Sequence, residues 1–330
     1  MRRRTLLLAL AGVAGGGSLA ACTAETDIGM SGNTTASASA APILASTASS
    51  SLAPQNITSV YTPASGSAPT KAYALGKQIL PFSRGDRSLP TTIWYPIAGT
   101  APASPAPTDN APPEQGRFPL VLFSHGLTSQ PGDYSAMLMR WAQAGFVVAG
   151  PTYPNTWYGA TDLDANDIVN QPLDASHVID LLLSSAGTLT TTIDPDRIAA
   201  AGHSAGGITT TGLFSAHRDE RLKAGIVFAG TDFQGASFTG PAAAMMFVHG
   251  RKDTTVTYRA GHAVYAAVPW SRAMLSITDG GHVTESDDFE TTTRTTTEFL
   301  RYALYGDSTA KSRIPAAAAV GDVATLENQL

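Results

Sequence analysis

Residues 197–206 read Arg-Ile-Ala-Ala-Ala-Gly-His-Ser-Ala-Gly, and this stretch decides the fold. Its last five residues match Gly-x-Ser-x-Gly, a pattern that is short enough to occur by chance. The context makes it specific, because an apolar strand-like run precedes the serine and a helical stretch begins at Ala205. We therefore predict that Ser204 is a nucleophile on a strained strand-to-helix turn. Gly202 and Gly206 would let the strand and the helix pack closely there.

Outward from this turn, short apolar runs alternate with helical patterns. Such alternation predicts crossover connections, and hence one α/β domain over residues 71–330. We expect a mostly parallel central sheet, helices on both of its faces and no large lid domain. After an early antiparallel edge strand at 88–95, strands are expected at 119–124, 146–149, 197–202, 224–228, 243–248 and 273–277, and helices at 133–144, 174–184, 205–215, 258–267 and 289–305. Residues 317–330 fit either a terminal helix or a tail.

Composition narrows the class of function. The chain has 330 residues, 43% hydrophobic and 14% charged, with a formal net charge of -5, which argues against a nucleic-acid-binding surface. One cysteine, Cys22, excludes an intramolecular disulfide. The histidines outside the proposed site lack the spacing of metal ligands, so we expect neither a metal nor another cofactor.

The N-terminal segment has the features of an export signal. Arginines at 2–4 precede an apolar stretch, and residues 19–22 read Leu-Ala-Ala-Cys. This ending resembles the lipobox of bacterial lipoprotein signal peptides. The resemblance implies cleavage after residue 21, lipid on Cys22 and a cell-membrane lipoprotein facing the extracytoplasmic side. An ordinary secretory signal is the alternative, and the arginines are also similar to a twin-arginine signal. Residues 22–70, rich in Ala, Ser, Thr and Pro, are expected to form a disordered tether.

Three segments around the elbow carry a family resemblance. They are residues 118–127, 144–148 and 194–198, the last leading into the elbow. With them the chain resembles α/β-hydrolases, in particular the platelet-activating-factor-acetylhydrolase-like and the chlorophyllase- and cutinase-like serine esterases. The resemblance covers about residues 88–304. It implies the α/β-hydrolase fold and ester hydrolysis, and it leaves the substrate open.

A serine nucleophile needs a base and an acid, which follow it along the chain in the order acid, then histidine. His282 is the candidate base, since it is the last histidine and follows a predicted strand and the turn Asp279-Gly280-Gly281. Asp253 comes just after another buried strand and could hold the histidine tautomer, and the family resemblance of the stretch Gly250-Arg251-Lys252-Asp253 makes it the leading acid. Asp232, after the preceding strand, is the rival.

The remaining parts of the site are loops. The backbone N–H of Ala205 is one expected donor to the oxyanion, and the resemblance assigns the second to the N–H of Leu127. His125 and His203 are expected to be structural and to hydrogen-bond these loops. Tyr153 and Trp157, in the loop after the second buried parallel strand, could line a substrate pocket. The alternative is a surface loop with a packed tryptophan.

These features predict a serine ester hydrolase of the cell envelope that works through an acyl-enzyme intermediate. Its substrate could be a short acyl ester, a lipid or a polyester such as cutin. The competing hypothesis is a non-catalytic binding lipoprotein on the same fold.

Overall fold

The computed structural model describes residues 53–102, 104–283 and 286–330. The expected signal segment, Cys22 and the tether up to residue 52 lie outside the described residues. Ten strands within them form one sheet, in the order β10-β9-β8-β7-β6-β4-β5-β2-β1-β3. The strands are β1 (Tyr73–Arg84), β2 (Arg87–Thr100), β3 (Thr108–Asp109), β4 (Phe118–Ser124), β5 (Val147–Pro151), β6 (Ile193–His203), β7 (Leu222–Phe228), β8 (Ala244–Gly250), β9 (Arg272–Ile277) and β10 (Ala324–Gln329).

Helices follow most of the parallel strands. They are α1 (Ser135–Gln143), α2 (Gln171–Ser185), α3 (Thr188–Thr192), α4 (Ala205–Phe214), α5 (Tyr258–Ala267), α6 (Ser286–Tyr305) and α7 (Ser308–Ala318). The described residues contain no helix that combines the length and the apolar character needed to cross a membrane.

The centre of the sheet is parallel. β4 pairs in parallel with β5 and β6, and parallel pairing continues through β7 and β8 to β9. The hairpin of β1 and β2 joins β5 antiparallel, and β10 joins β9 antiparallel at the other side. The predicted mostly parallel α/β architecture is therefore confirmed.

Two apolar layers cover the sheet, because successive side chains of a strand point to opposite faces. On β4, Leu120 and Leu122 pack in one layer with residues of α2 and α5. Val121 and Phe123 pack in the other layer with residues of α1, α6 and α7. All residues of β4 are buried, as expected for a strand covered on both faces.

The prediction of a disordered tether is wrong for residues 53–70, since these residues pack along the surface of the domain and hydrogen-bond to it. The N–H of Gln55 donates to Ala266 O over 2.8 Å, and the N–H of Thr58 donates to Pro269 O over 2.9 Å. Further on, the Tyr61 hydroxyl donates to Ala303 O. Backbone groups make most of these contacts, so a composition low in apolar side chains did not reveal them.

The C-terminal segment contains a strand, so both predictions for residues 317–330, a terminal helix and a tail, are wrong for Ala324–Gln329. α7 ends at Ala318, and β10 pairs with β9 from Ala324↔Ile277 to Gln329↔Arg272. β10 is an edge strand with mostly exposed side chains, so it lacks the apolar run by which the central strands were found.

Candidate active site

Ser204 lies at the turn between the carboxyl end of β6 and the start of α4. Its backbone has φ 56° and ψ -116°, a left-handed conformation that is costly for a residue with a side chain. The N–H of Ser204 donates to Phe228 O over 2.9 Å, which holds the turn against β7. The strained strand–turn–helix geometry that residues 197–206 predict is therefore present.

Gly202 and Gly206 allow this turn to exist. A Cβ atom at Gly202 would collide with the backbone carbonyl of Gly206, and one at Gly206 would collide with the carbonyl of Ser124 on β4. Both contacts are with backbone atoms, which cannot rotate away. Any side chain at either position would push α4 off the sheet and move Ser204 with it.

The structure brings Ser204, His282 and Asp253 into one hydrogen-bonded line. Ser204 Oγ lies 2.8 Å from His282 Nε2, and His282 Nδ1 lies 2.8 Å from Asp253 Oδ2. Since a carboxylate only accepts, Nδ1–H donates to Asp253, and Nε2 is free to accept the Ser204 proton. The serine and the aspartate are each about 5% exposed, so water competes little for these contacts.

Three donors hold the Asp253 carboxylate, and a fourth N–H group, that of His249 Nε2, lies near it while it donates to Val256 O over 2.8 Å. Its Oδ1 accepts the backbone N–H groups of Thr255 and Val256, over 2.8 and 2.9 Å. Its Oδ2 faces His282 Nδ1 and also lies 3.3 Å from Nε2 of His249. Burial alone would raise the pKa of Asp253, but these hydrogen bonds outweigh it and hold the pKa well below its usual range. The group is therefore a carboxylate throughout the physiological range.

The rival acid, Asp232, lies apart from this line. Its carboxylate accepts the N–H of Gln234 over 3.0 Å, and burial raises its pKa. Of the two candidates from the sequence, Asp253 is the one that the structure places against His282.

The two expected oxyanion donors lie at the start of α4 and in the loop after β4. Ala205 is the first residue of α4, where a helix leaves its N–H groups without intrahelical partners. Leu127 follows β4 and packs into a small apolar cluster that contains Ala205 and Ile208. The residue before it, Gly126, is also close, because a Cβ at Gly126 would lie 3.4 Å from Ser204 Cβ.

His125 has a defined structural position. It is fully buried; its Nε2 accepts the N–H of Tyr153 over 3.1 Å, so Nδ1–H donates to Gly126 O over 2.8 Å. Burial lowers the pKa of His125 to about 4, which keeps the ring neutral. It therefore ties the loop after β4 to the chain after β5, as expected of a histidine that hydrogen-bonds loops.

The prediction that Tyr153 lines a substrate pocket is wrong. The side chain is fully buried in the apolar layer that contains Leu122, and its hydroxyl lies 2.8 Å from Ser124 Oγ. It lies two residues past β5 and still points into the core. Trp157 is half-buried and its ring packs against Tyr158, at 5.4 Å between centroids.

A buried ion cluster fixes the end of the same loop. Arg87 donates to the carboxylates of Asp167 and Asp174, with contacts of 2.7 and 2.6 Å, and Arg84 donates to Asp174 over 2.7 Å. Asp174 is fully buried, so this carboxylate depends on its two arginines. The cluster joins the β1–β2 hairpin to the start of α2.

Beside the line of Ser204, His282 and Asp253 the structure has a cavity of about 360 Å³ that the sequence did not reveal. It lies between the loop after β4 and the loop after β9, and its walls include Tyr134, Met137, His203, Phe228, Val283 and Phe289. These side chains come from distant parts of the chain, so no local pattern groups them. No cluster of three or more potential metal ligands occurs among the described residues.

Comparison with known families finds a match within the chain. The model of the chlorophyllase family matches residues 90–235. The match is less than half of the chain; it contains Ser204 and Leu127 and ends before Asp253 and His282. No curated protein matches the chain. The family match suggests the activity of a hydrolase, an esterase in particular. The strand order and the elbow are those of the α/β-hydrolase fold, and residues 90–235 are similar to the chlorophyllase family, which belongs to the α/β-hydrolase superfamily.

Proposed function

We propose that this protein is a serine ester hydrolase that acts through an acyl-enzyme intermediate. One observation carries the proposal: Ser204 Oγ, the His282 ring and the Asp253 carboxylate form a continuous hydrogen-bonded line, with 2.8 Å at each step. A serine hydroxyl becomes a useful nucleophile when a neighbouring base takes its proton and a third group orients that base.

In the first half-reaction, Ser204 Oγ attacks the carbonyl carbon of the ester while its proton moves to His282 Nε2. The tetrahedral oxyanion accepts hydrogen bonds from the N–H groups of Leu127 and Ala205. The Asp253 carboxylate stabilises the imidazolium. When the intermediate collapses, the bond to the alcohol oxygen breaks and Nε2–H protonates the leaving alkoxide. The acyl group stays on Ser204 as an ester.

In the second half-reaction, His282 Nε2 takes a proton from a water molecule, and the hydroxide attacks the acyl carbon. The new tetrahedral intermediate uses the same two N–H donors. Its collapse breaks the bond to Ser204 Oγ, which recovers a proton from His282, and the carboxylic acid leaves. No other reactant is needed, so the residues of this chain account for every proton.

The competing hypothesis is a non-catalytic binding protein on this fold. A binding role needs neither the strained backbone of Ser204 nor the buried carboxylate behind His282. Strained conformations of this kind persist mainly where function requires them, which favours catalysis.

A trapped intermediate tests the proposal directly. The protein is mixed with p-nitrophenyl acetate, quenched in acid and analysed by intact and peptide mass spectrometry. We expect one acetyl group per chain, on the peptide that contains Ser204. Butyrate and longer esters, with a polyester film alongside, then define the acyl preference. Absence of both p-nitrophenol release and acylation would favour the binding hypothesis.

We also propose that the protein is exported and held at the outer face of the cytoplasmic membrane by lipid on Cys22. The support is the sequence alone: the basic head, the apolar stretch and Leu-Ala-Ala-Cys at 19–22. Replacement of Cys22 by serine is expected to move the protein from the membrane fraction to the soluble fraction of the same cells. An unchanged membrane pool would contradict lipidation.

A further inference from the structure

A second line of hydrogen bonds runs beside the first and connects its two loops. The N–H of Gly126, after β4, donates to the Tyr134 hydroxyl oxygen over 3.1 Å. Tyr134 Oη lies 2.9 Å from His203 Nδ1. His203 Nε2 lies 2.6 Å from the backbone carbonyl oxygen of His282. The line therefore spans from the loop that carries Leu127 to the loop that carries the proposed base.

The direction of every bond in this line is determined. A carbonyl oxygen can only accept, so His203 Nε2 carries a proton and donates to His282 O. In the neutral ring Nδ1 is then an acceptor, and the Tyr134 hydroxyl donates to it. The Tyr134 oxygen keeps a lone pair for the N–H of Gly126. Each donor meets one acceptor, so the line is complete with a single tautomer.

The surroundings keep these side chains in place. The Tyr134 ring packs on Phe123 of β4, with centroids 4.7 Å apart, and the His203 ring packs on the His282 ring at 4.9 Å. Burial lowers the pKa of His203 to about 4, so the ring remains neutral and Nδ1 remains an acceptor. Both nitrogens of the His203 ring are therefore engaged in hydrogen bonds, and neither is available for proton transfer with Ser204.

We propose that Tyr134 and His203 are positioning residues for the ester hydrolysis proposed above, on which this inference rests. They hold the N–H donor at Leu127 and the imidazole of His282 at a fixed separation across Ser204. The reaction needs a fixed distance between the two loops, because the oxyanion forms at one loop and the proton of Ser204 moves to the histidine on the other. Misplacement by about 1 Å can cost about 100-fold in rate.

The first test is Tyr134→Phe, which removes the hydroxyl and keeps the ring on Phe123. We expect kcat for p-nitrophenyl butyrate to fall by about 10- to 100-fold, with KM within about threefold. The reason is that the relative position of the two loops matters most in the transition state, where charge develops on the oxyanion and on the imidazole. Tyr95→Phe is the matched control. The Tyr95 hydroxyl also donates to one partner, Ala111 O over 2.7 Å, far from the site. Both variants should lose a little thermal stability, and only Tyr134→Phe should lose kcat.

The second test uses His203. His203→Leu should lower kcat as Tyr134→Phe does, and the double variant should be little worse than the poorer single variant, since both break one line. His203→Gln can still donate an N–H toward His282 O, so it should recover part of the loss. The downfield proton resonance of the His282–Asp253 hydrogen bond should shift in Tyr134→Phe and stay unchanged in Tyr95→Phe.

The wild-type protein is assayed first, so the two proposals fail in different ways. If wild type neither hydrolyses esters nor forms an acyl-enzyme, the proposed function is wrong and this inference falls with it. If wild type is active and folded Tyr134→Phe has kcat within twofold of it, only the positioning role is overturned. Strictly additive losses in the double variant would also overturn it.

Discussion

Replacing Ser204 with alanine is expected to lower kcat for a p-nitrophenyl ester by about 10⁶-fold, the cost typical of losing a serine nucleophile. The hydroxyl oxygen Oγ is the only heavy atom removed, and it is the atom that His282 Nε2 contacts at 2.8 Å. The oxyanion donors and the substrate contacts remain, so KM should change far less than kcat. Stopped assays with purified protein, corrected for spontaneous hydrolysis, measure the residual rate.

Ser215→Ala provides the control for loss of a buried serine hydroxyl. Ser215 follows the end of α4 and donates to Thr211 O over 2.9 Å, at the end of the helix opposite to Ser204. We expect this variant to fold and to keep wild-type kcat. If Ser204→Ala retains more than about one per cent of the wild-type rate, another nucleophile must be responsible and the proposed mechanism is wrong.

Asp253→Asn is expected to lower kcat by about 10⁴-fold while the fold is kept. The reason lies in how the side chain is oriented. Oδ1 accepts two backbone N–H groups, from Thr255 and Val256, so the asparagine oxygen should occupy that position. The amide NH₂ would then face His282 and donate to Nδ1. This forces the proton of the neutral ring onto Nε2, where it can no longer accept the proton of Ser204.

Asp232→Asn is the matched comparison, since it makes the same chemical change at the other candidate acid. Its carboxylate contacts the backbone of its own loop, so we expect kcat within a few fold of wild type. A pH–rate profile of both variants shows whether the apparent pKa of the catalytic base has changed. Circular dichroism checks the fold. A large loss in Asp232→Asn with little loss in Asp253→Asn would reverse the assignment.

Much of the fold was predictable because its central strands are buried on both faces. A strand of that kind is apolar along nearly its whole length, and residues 119–123 show this without any structure. The elbow was predictable for a similar reason. Only glycine tolerates the close backbone contacts at positions 202 and 206, so the packing requirement appears directly in the sequence.

The choice between the two acids was not predictable from chain order. Asp232 and Asp253 each follow a buried parallel strand, and both therefore lie at the carboxyl edge of the sheet. What separates them is the path of each loop, and in particular the two N–H groups that aim Asp253 Oδ1 away from His282. Contacts of this kind depend on backbone direction, which residue types do not specify.

Elements held by backbone hydrogen bonds or by single long-range contacts were also missed. β10 and residues 53–70 bury few side chains of their own, so the sequence indicated a helix or a tail for the first and a tether for the second. Tyr153 was placed in a pocket because it follows a strand, whereas its hydroxyl is satisfied by Ser124 in the interior. The Tyr134–His203 pair joins residues 69 positions apart and has no local pattern.

The path of residues 55–58 has a practical consequence for presenting the protein on a surface. Their contacts, to Ala266 O and Pro269 O, lie at the amino end of β9, whereas His282 follows the carboxyl end of the same strand. Residues 55–58 therefore lie at the edge of the sheet where the parallel strands begin, and the Ser204 turn lies at the edge where they end. A bead, electrode or fusion partner attached ahead of residue 53 should therefore leave the mouth of the site directed outward, where bulky or insoluble esters can reach it.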